Sequence, residues 1–203
     1  MVTLQDRIPG SRELLLRFGS DQVRNQGTIG GNIGSASPIG DLPPLLIALD
    51  ASITLQKGDD VRTLALEDHY LGYRQTTLQS GEFIRSVSIP LPVAESHFSV
   101  HKISKRTDDD ISSVCLAVHL PMHNGVVNNA RLAFGGMAAT PVRAKDAEDR
   151  LNGTEFSQVS VLQAQQAIAM ELKPLNDARA SAAYRLQVAQ NLLQRVLLEV
   201  QSS

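Results

Sequence analysis

The chain has 203 residues, of which 42% are hydrophobic and 20% charged, and its formal net charge at pH 7 is −2. These values are typical of an ordinary globular chain that is long enough for one large or two small domains. The small net charge and the absence of a basic stripe argue against nucleic acid as the main partner. No apolar run approaches the length of a membrane span, and the N-terminus has no signal-peptide pattern, so we expect a cytoplasmic protein that does not bind membranes.

Cysteine and histidine limit the chemistry that this chain can supply. Its single cysteine, Cys115, excludes an intrachain disulfide framework and an iron–sulfur cluster held by cysteines of this chain alone. Cys115 falls in an alternating segment, so we expect it to be buried and inert. The five histidines show no metal-ligand spacing with cysteine or carboxylates. We therefore expect no metal site, and we assign no catalytic residue to this chain.

The first half of the chain carries short helical and extended patterns. Residues 10–24 predict a helix, with Ser11 as its N-cap and Phe18 on its apolar stripe. The further predicted elements are a hairpin (Ser52–Gln56 and Val61–Leu66), a short helical turn (Glu67–Leu71) and a strand (Phe83–Ile89). In that last strand, alternation puts Ile84 and Val87 on opposite faces.

Residues 22–51 have the most distinctive composition. Glycines at positions 27, 30, 31 and 34 are interleaved with Thr28 and Asn32, and a predicted helix from Asp41 to Asp50 follows. Glycines let a ligand approach backbone N–H groups closely, and a helix N-terminus adds unpaired donors with partial positive charge. A glycine loop of this kind would bind a phosphate or pyrophosphate. The alternative is a surface turn in which Asp41 only caps its helix.

The second half has a different order of patterns. The polar stretch that follows Pro90–Leu91–Pro92 is the predicted domain boundary. Three strands of an antiparallel meander come next, at His97–Ser104, Ile111–Met122 and Asn128–Phe134. Three helices come last, at Arg143–Leu151, Val159–Leu172 and Ala178–Val200, the last with an apolar stripe of Tyr184, Val188, Leu192 and Val196. Strands followed by helices predict an α+β fold.

Four ordered blocks of the chain resemble a known family. They read VRNQGTIGGNIGSASPIGDLPPLLIALDA from Val23, LEDHYLGYRQTTLQSGEFIRSVSIP from Leu66, HFSVHKISKRTDDDI from His97 and LAFGGMAATPVRA from Leu132. Together they are similar to the flavin domain or subunit of xanthine dehydrogenase and its carbon monoxide dehydrogenase relatives, which are molybdenum hydroxylases. The resemblance covers nearly the whole chain.

The resemblance implies two domains. Residues 1–92 would be the second lobe of a two-lobed FAD-binding domain, a mostly antiparallel sheet with helices. Residues 93–203 would be a C-terminal domain of the carbon monoxide dehydrogenase flavoprotein type, in which a three-stranded antiparallel sheet packs on C-terminal helices.

The resemblance also implies which residues contact FAD. Those that align with the segment holding the FAD diphosphate are Thr28, Gly30, Gly31 and Asn32. Their N–H groups and a hydroxyl would be neutral donors to an anion. Those that align with other FAD contacts are Phe18, Asp41, Ile84 and Lys102. By this alignment Asp41 accepts from a hydroxyl of the cofactor, and the charge of Lys102 favours the reduced, anionic flavin.

Each of these assignments has a plainer alternative. Phe18 and Ile84 would be core residues of a helix and a strand. Lys102 would be a solvated lysine on a strand edge. Asp41 would serve only as an N-cap.

Access of NAD to the flavin is the role that the resemblance implies for Tyr73 and for Asp109 in the acidic loop Lys105–Asp110. In the family a mobile charged loop shifts the potential at the flavin and gates the nicotinamide. Without the resemblance, three consecutive aspartates would be a solvated loop. The sequence leaves open whether the loop suits NAD, oxygen or neither.

The implied function is electron transfer in an oxidoreductase. In this family electrons run from a molybdenum centre through two iron–sulfur clusters to FAD, and then to NAD as a hydride. This chain would bind FAD in a xanthine dehydrogenase-like complex of purine catabolism that oxidises xanthine or hypoxanthine. The molybdenum cofactor and the iron–sulfur clusters would belong to partner chains or other regions of an oligomeric complex.

The family's first nucleotide-binding lobe has no counterpart before the predicted helix at Ser11. We therefore expect the chain to be a C-terminal portion that is inactive alone and binds FAD weakly or not at all. Two other classes stay open. One is the flavin subunit of a carbon monoxide or nicotinate dehydrogenase, and the other is a non-catalytic module in which Val93–Ser203 docks on partner subunits.

Overall fold

The computed structural model describes residues 4–107 and 109–202. Its helices are α1 (Leu4–Arg7), α2 (Arg12–Leu16), α3 (Asp21–Gln26), α4 (Ile29–Gly34), α5 (Leu42–Ala48), α6 (Lys145–Leu151), α7 (Gln158–Glu171) and α8 (Ala182–Gln201). Its strands are β1 (Ser52–Lys57), β2 (Asp60–Ala65), β3 (Tyr70–Gly72), β4 (Gln75–Thr76), β5 (Phe83–Ser88), β6 (Ser96–Ile103), β7 (Val114–His123), β8 (Val126–Val127), β9 (Arg131–Gly135) and β10 (Val142–Arg143). Short 3₁₀ turns lie at Pro9–Ser11 and Leu66–His69.

The strands form antiparallel sheets. β1 lies between β2 and β5 in a three-stranded sheet, and β3 pairs with β4. The larger sheet has the order β10-β9-β7-β6, with β8 paired to the end of β7. Antiparallel sheets combined with a C-terminal set of helices confirm the predicted α+β class.

The larger sheet has an apolar core on each face. Val114, Leu116, Val118 and Leu120 alternate along β7 and pack against α6, α7 and α8. Cys115 and Ala117, which point the other way, join the core built around α5. Cys115 is buried as expected, and burial raises the pKa of its thiol well above the usual value.

The prediction of one helix over residues 10–24 is wrong. A 3₁₀ turn and α2 end by Arg17, and α3 begins after Ser20, whose hydroxyl accepts a hydrogen bond from the backbone N–H of Val23. Gly19 adopts a φ of +56° between the two helices, a conformation that breaks an α-helix. Ser11 precedes α2, but its hydroxyl donates to the carbonyl of Ile8 and does not cap the helix.

The predicted glycine loop also contains a helix. Residues 29–34 form α4, and the hydroxyl of Thr28 accepts from the backbone N–H of Gly31 at 2.9 Å. Ile33 is buried in the core, so the cap and this contact stabilise a helix that its glycines disfavour. The following helix, α5, lies within the predicted range.

The expected facing of strand β5 is wrong because the strand carries a bulge. Thr54 of β1 pairs with Ser86 while the next residue, Leu55, pairs with Ile84, so Arg85 is the extra residue. The bulge turns Ile84 to the side of Val87, and both pack against the core around α5.

Several further boundaries and one stripe differ from the prediction; α8, for example, starts at Ala182 instead of Ala178. β7 starts at Val114 instead of Ile111, and β9 starts at Arg131 after Asn129, which has a φ of +59°. In α8 the stripe at four-residue steps drifts off the buried face, because an α-helix repeats every 3.6 residues. Tyr184 is therefore 49% exposed. Across the described residues no helix is both long and apolar enough to cross a membrane.

Candidate functional site

A cavity of about 310 Å³ lies where the α2–α3 connection, α4, the start of α5 and the end of β6 meet. We call it the first cavity. Five of the predicted site residues line it, namely Phe18, Asn32, Asp41, Lys102 and Asp109. Apolar side chains of Val23, Ile39 and Ile111 complete much of its wall. Residues that are far apart in sequence thus form one concave surface that combines apolar side chains with converging polar groups, as small-molecule sites do.

A buried ion pair lies at the wall of the first cavity. Lys102 Nζ is 2.7 Å from Asp41 Oδ2, and the two residues are 5% and 6% exposed. Lys102 Nζ also donates to the carbonyl of Arg17 at 3.0 Å, and the hydroxyl of Ser112 donates to Asp41 Oδ1. A buried charged pair of this kind is maintained only when further hydrogen bonds satisfy its polar atoms.

This geometry removes two of the plainer alternatives. Lys102 is not a solvated residue of a strand edge, because it is buried and paired. Asp41 occupies the N-cap position of α5, but its side chain makes no capping hydrogen bond. Its carboxylate is held by Lys102 and Ser112 instead.

Asn32 brings an unpaired polar atom into the site. Its Oδ1 is buried and has no hydrogen-bond partner within the described part of the chain. A Cβ placed on Gly40 would lie 3.5 Å from this atom, so glycine keeps the space beside it open. A buried acceptor without a partner is costly to a fold, and a ligand that donates to it would remove that cost.

Thr28, Gly30 and Gly31 lie at the exposed N-terminal turn of α4, which leads directly to Asn32. The N–H of Gly31 already donates to Thr28, so it is not a free donor. Ile84 lies behind this helix, where a Cβ on Gly30 would be 3.9 Å from its own Cβ. Ile84 therefore supports α4 and is not part of the wall of the first cavity.

The acidic loop lies at the rim of the first cavity, and Asp108 falls outside the described residues. The guanidinium of Arg17 donates to Lys102 O at 2.7 Å and to Ser104 Oγ at 3.0 Å, so it fixes the start of the loop. The carboxylate of Asp110 accepts from the backbone N–H groups of Arg106 and Ile111. These hydrogen bonds lower the pKa of Asp110, and the bond from Arg106 has the larger effect.

A second cavity of about 510 Å³ adjoins the first, and Ser37, Ile39 and Ile111 line both. Tyr73, the other predicted access residue, lines this second cavity. The guanidinium of Arg74 lies 5.9 Å from the centre of the Tyr73 ring. Tyr73 and Asp109 thus belong to neighbouring cavities that share a wall.

Three arginines give the second cavity a positive character: Arg74, Arg179 and Arg185. Arg185 is buried and donates to the carbonyls of Ser113 and Gly136 and to Asp177 Oδ2. Burial alone would raise the pKa of Asp177. Hydrogen bonds from the N–H groups of Ala180 and Arg179 and from Arg185 lower it instead.

Sequence reasoning missed Ser112, Arg17 and Arg185. Ser112 carried no signal, because it meets Asp41 only across 71 positions of the chain. Arg185 did carry one, because a 3.6-residue period places it on the buried face of α8 with Ala189 and Leu192. Within the described ranges, no group of three or more histidine, cysteine or acidic residues could hold a metal ion.

Comparison with known proteins assigns the chain to a family. Residues 1–92 match the model of the FAD binding domain in molybdopterin dehydrogenase, and residues 99–200 match the CO dehydrogenase flavoprotein C-terminal domain. The chain belongs to the FAD-binding family of the molybdenum hydroxylases. The resemblance stated from the sequence is thereby confirmed.

The relatives of this family member include several enzymes. The chain is 36% identical over 150 residues to nicotinate hydroxylase of Emericella nidulans, which covers 71% of this chain and 11% of that protein. It is 34% identical over 167 residues to xanthine dehydrogenase/oxidase of Gallus gallus, covering 80% of this chain and 12% of that protein. Carbon monoxide dehydrogenase of Hydrogenophaga pseudoflava superimposes with a TM-score of 0.89 at 31% identity, covering 95% of this chain and 67% of that one.

Proposed function

We propose that the first cavity holds part of an FAD molecule, and that this chain carries electrons through that FAD in a xanthine dehydrogenase-like molybdenum hydroxylase. The observation that supports the site is the convergence of five family-aligned residues, from Phe18 to Asp109, on one cavity. Membership of an FAD-binding family makes flavin the natural ligand.

The residues around the first cavity suit FAD. Asn32 Oδ1 is a buried acceptor without a protein donor in the described chain, and a hydroxyl or N–H of the cofactor can supply one. The exposed turn of Thr28, Gly30 and Gly31 presents small residues where a diphosphate can approach the backbone. FAD would supply the ability to accept electrons and to pass them on as a hydride.

The side chains of this chain would bind the cofactor, shield it from water and tune its potential. Phe18, Val23 and Ile39 give apolar surface that excludes water from the cavity. Lys102 brings a positive charge to the wall, but Asp41 partly cancels it at 2.7 Å. The pair therefore acts on a ligand mainly as a local dipole, with a smaller effect than an unpaired lysine would have.

NAD is the proposed electron acceptor, and the second cavity is its proposed entrance. Arg74 and Arg179 are cationic groups suited to the phosphates of a dinucleotide, and Tyr73 offers an exposed ring for stacking. Because the two cavities share a wall, NAD bound at this entrance would lie beside the proposed flavin. A hydride can pass only between reactants that lie side by side.

Xanthine or hypoxanthine is the proposed substrate of the complex, which we place in the cytoplasm with molybdenum and iron–sulfur components supplied by partner regions. The relationship to the Gallus gallus enzyme supports this choice. Nicotinate is the second candidate, because the Emericella nidulans nicotinate hydroxylase is 36% identical over 150 residues.

The test is to purify the complex through a tag on this chain and to measure NAD reduction with xanthine, hypoxanthine, nicotinate and carbon monoxide in turn. We expect FAD in the purified complex and NADH formation with a purine at least about tenfold faster than with the others, equivalent to about 1.4 kcal/mol of barrier. Preference for nicotinate would favour the second candidate. A complex free of flavin would contradict the proposal.

A further inference from the structure

We propose that Ser112 is a positioning residue of the first cavity, which holds Asp41 so that the ammonium of Lys102 is presented to an acceptor group of the ligand. The inference rests on the proposed function in that the ligand is taken to be the flavin. The geometric part of the inference, that Ser112 positions Lys102 through Asp41, can be measured without any flavin.

Three separate elements meet at this point. Asp41 starts α5, Lys102 lies near the end of β6, and Ser112 lies just before β7. Ser112 is only 1% exposed, and its hydroxyl donates to Asp41 Oδ1 while Lys102 Nζ donates to Asp41 Oδ2. The two donors hold one oxygen each, so the carboxylate cannot turn about its last bond without losing one of them.

The hydrogen bonds that Lys102 already makes indicate how many of its N–H donors remain for a ligand. An ammonium has three N–H groups. Two of them are used within the described residues, by Asp41 Oδ2 at 2.7 Å and by the carbonyl of Arg17 at 3.0 Å. Lys102 also lines the first cavity, and from this we infer that its third N–H is the one left for an acceptor there. The group that it recognises is therefore a carbonyl, a ring nitrogen or an anionic oxygen.

Ser112 determines whether that third N–H stays in place. Without its hydroxyl, Asp41 Oδ1 would be a buried charged oxygen that lacks a donor, which is costly. The carboxylate would then rotate or move towards other donors, and Lys102 would follow its partner. Ser112 is not among the residues that line the first cavity, so it would act on a ligand through Asp41 and Lys102.

The first experiment measures the reactivity of Lys102 in the chain without flavin. Acetic anhydride labelling followed by peptide mass spectrometry gives the rate at Lys102 relative to the exposed Lys57. We expect Ser112→Ala to raise the relative rate at Lys102 about tenfold, because a lost hydrogen bond to a charged group increases local opening by at least that factor.

Ser113→Ala is the matched control. Ser113 is also buried, but the bonds that the structure gives it are backbone ones, from its N–H to Ile103 O and from Arg185 to its carbonyl. Ser113→Ala should leave the rate of acetylation at Lys102 unchanged. Equal rates in Ser112→Ala and wild type, or equal increases in both variants, would overturn the proposal.

An isosteric pair covers the case in which Ser112→Ala does not fold. Ser112→Thr keeps the hydroxyl and Ser112→Val replaces it by a methyl group of similar size. Both add the same bulk, so their difference reports on the hydroxyl alone. We expect slow labelling of Lys102 with threonine and fast labelling with valine, and the same rate in both would contradict the role of Ser112.

The second experiment adds FAD and compares its affinity and midpoint potential in wild type and the same variants. We expect Ser112→Ala and Ser112→Val to bind FAD about tenfold more weakly and to make its potential more negative, while Ser112→Thr stays close to wild type. If wild type alone does not bind FAD, the same comparison is made in the purified complex; a complex without FAD means that the proposed function fails while the labelling result stands. If wild type binds and Ser112→Val matches it, the present inference fails alone.

Discussion

The two faces of the larger sheet are built differently. The face that packs on α6, α7 and α8 has an extensive apolar core, with Leu116, Val118 and Phe134 fully buried, and its buried charges, Glu148 and Arg185, are paired with Arg143 and Asp177. On the opposite face the core around α5 adjoins a buried ion pair, an unpaired asparagine oxygen and the first cavity.

This difference indicates a division of roles. Burial of apolar surface stabilises a domain without the free-energy cost of removing polar groups from water. A buried acceptor without a donor, beside an open cavity, costs stability, and proteins keep such features at functional sites. We infer that the helical face mainly stabilises the fold and that the α5 face gives up some stability to bind a ligand.

The largest effect should come from the helical face. Phe134→Ala removes a ring that is 0% exposed in the core beneath α6–α8. We expect a loss of about 3–5 kcal/mol in the free energy of unfolding, measured by urea denaturation. Phe83→Ala is the control, because the same truncation at a side chain that is 54% exposed should cost less than about 1 kcal/mol. Similar losses of stability in the two variants would contradict the inference that the helical face mainly stabilises the fold.

Breaking the buried pair should have the next largest effect. Lys102→Met leaves the carboxylate of Asp41 with Ser112 as its one side-chain donor among the described residues, and we expect a loss of about 3 kcal/mol in the free energy of unfolding. The double variant that adds Asp41→Leu should recover most of this loss, because an apolar pair does not have to be desolvated. A double variant as unstable as the single one would show that the charges are not the cause.

A smaller, pH-dependent effect is expected where α8 meets β6. His97 and His101 each lie close to Ser99 and to Glu199, with Arg195 and Glu13 nearby. Burial is the first cause that lowers the pKa of both histidines below 6.5, and Glu199 opposes it. The folded state therefore binds fewer protons than the unfolded state, so stability present above about pH 6.5 is lost as the pH falls through the lowered pKa values.

The measurement is the free energy of unfolding between pH 7.5 and 5 for wild type and for the double variant His97→Gln, His101→Gln. The two curves should diverge by at most about 1.4 kcal/mol per pH unit for each histidine, with wild type losing more. His123→Gln, at a side chain that is 73% exposed, is the control and should follow wild type. A wild type that gains stability on acidification would contradict the sign.

Much of the fold could be predicted from the sequence where a single period dominates. Val114, Leu116, Val118 and Leu120 alternate strictly, and in the structure they share the face that packs on the helices. The hairpin of β1 and β2 was equally clear from its turn residues. The failures have two causes. Gly19, with its positive φ, breaks locally a helix that the apolar stripe predicts, and the tertiary contacts of the buried Ile33 stabilise α4 despite its glycines.

The site could be predicted only as far as the resemblance reached. It indicated Phe18, Asn32 and Lys102, which do line one cavity, but gave no reason to expect that Lys102 is paired with Asp41. That pair depends on a contact between α5 and β6, and Ser112 joins it from a third segment. Pairings of this kind follow from the packed fold and leave no local pattern in the chain.

The most direct test of the account is a titration of the chain with FAD, up to millimolar concentration, that follows flavin fluorescence and the melting temperature in wild type and Asn32→Leu. Leucine has a similar size and removes the unpaired buried oxygen, so the variant without FAD should melt at or above the wild-type temperature. Asn25→Leu, at an exposed position of α3, is the control for the chemical change.

Binding should be weak, because the chain covers 67% of the length of the carbon monoxide dehydrogenase chain that it matches. We predict saturable quenching and a raised melting temperature in wild type and Asn25→Leu, with an affinity at least about tenfold lower in Asn32→Leu, corresponding to one lost hydrogen bond of about 1.4 kcal/mol. Equal affinity in wild type and Asn32→Leu would contradict the assignment of the first cavity to the flavin, and so would a purified complex that holds no FAD.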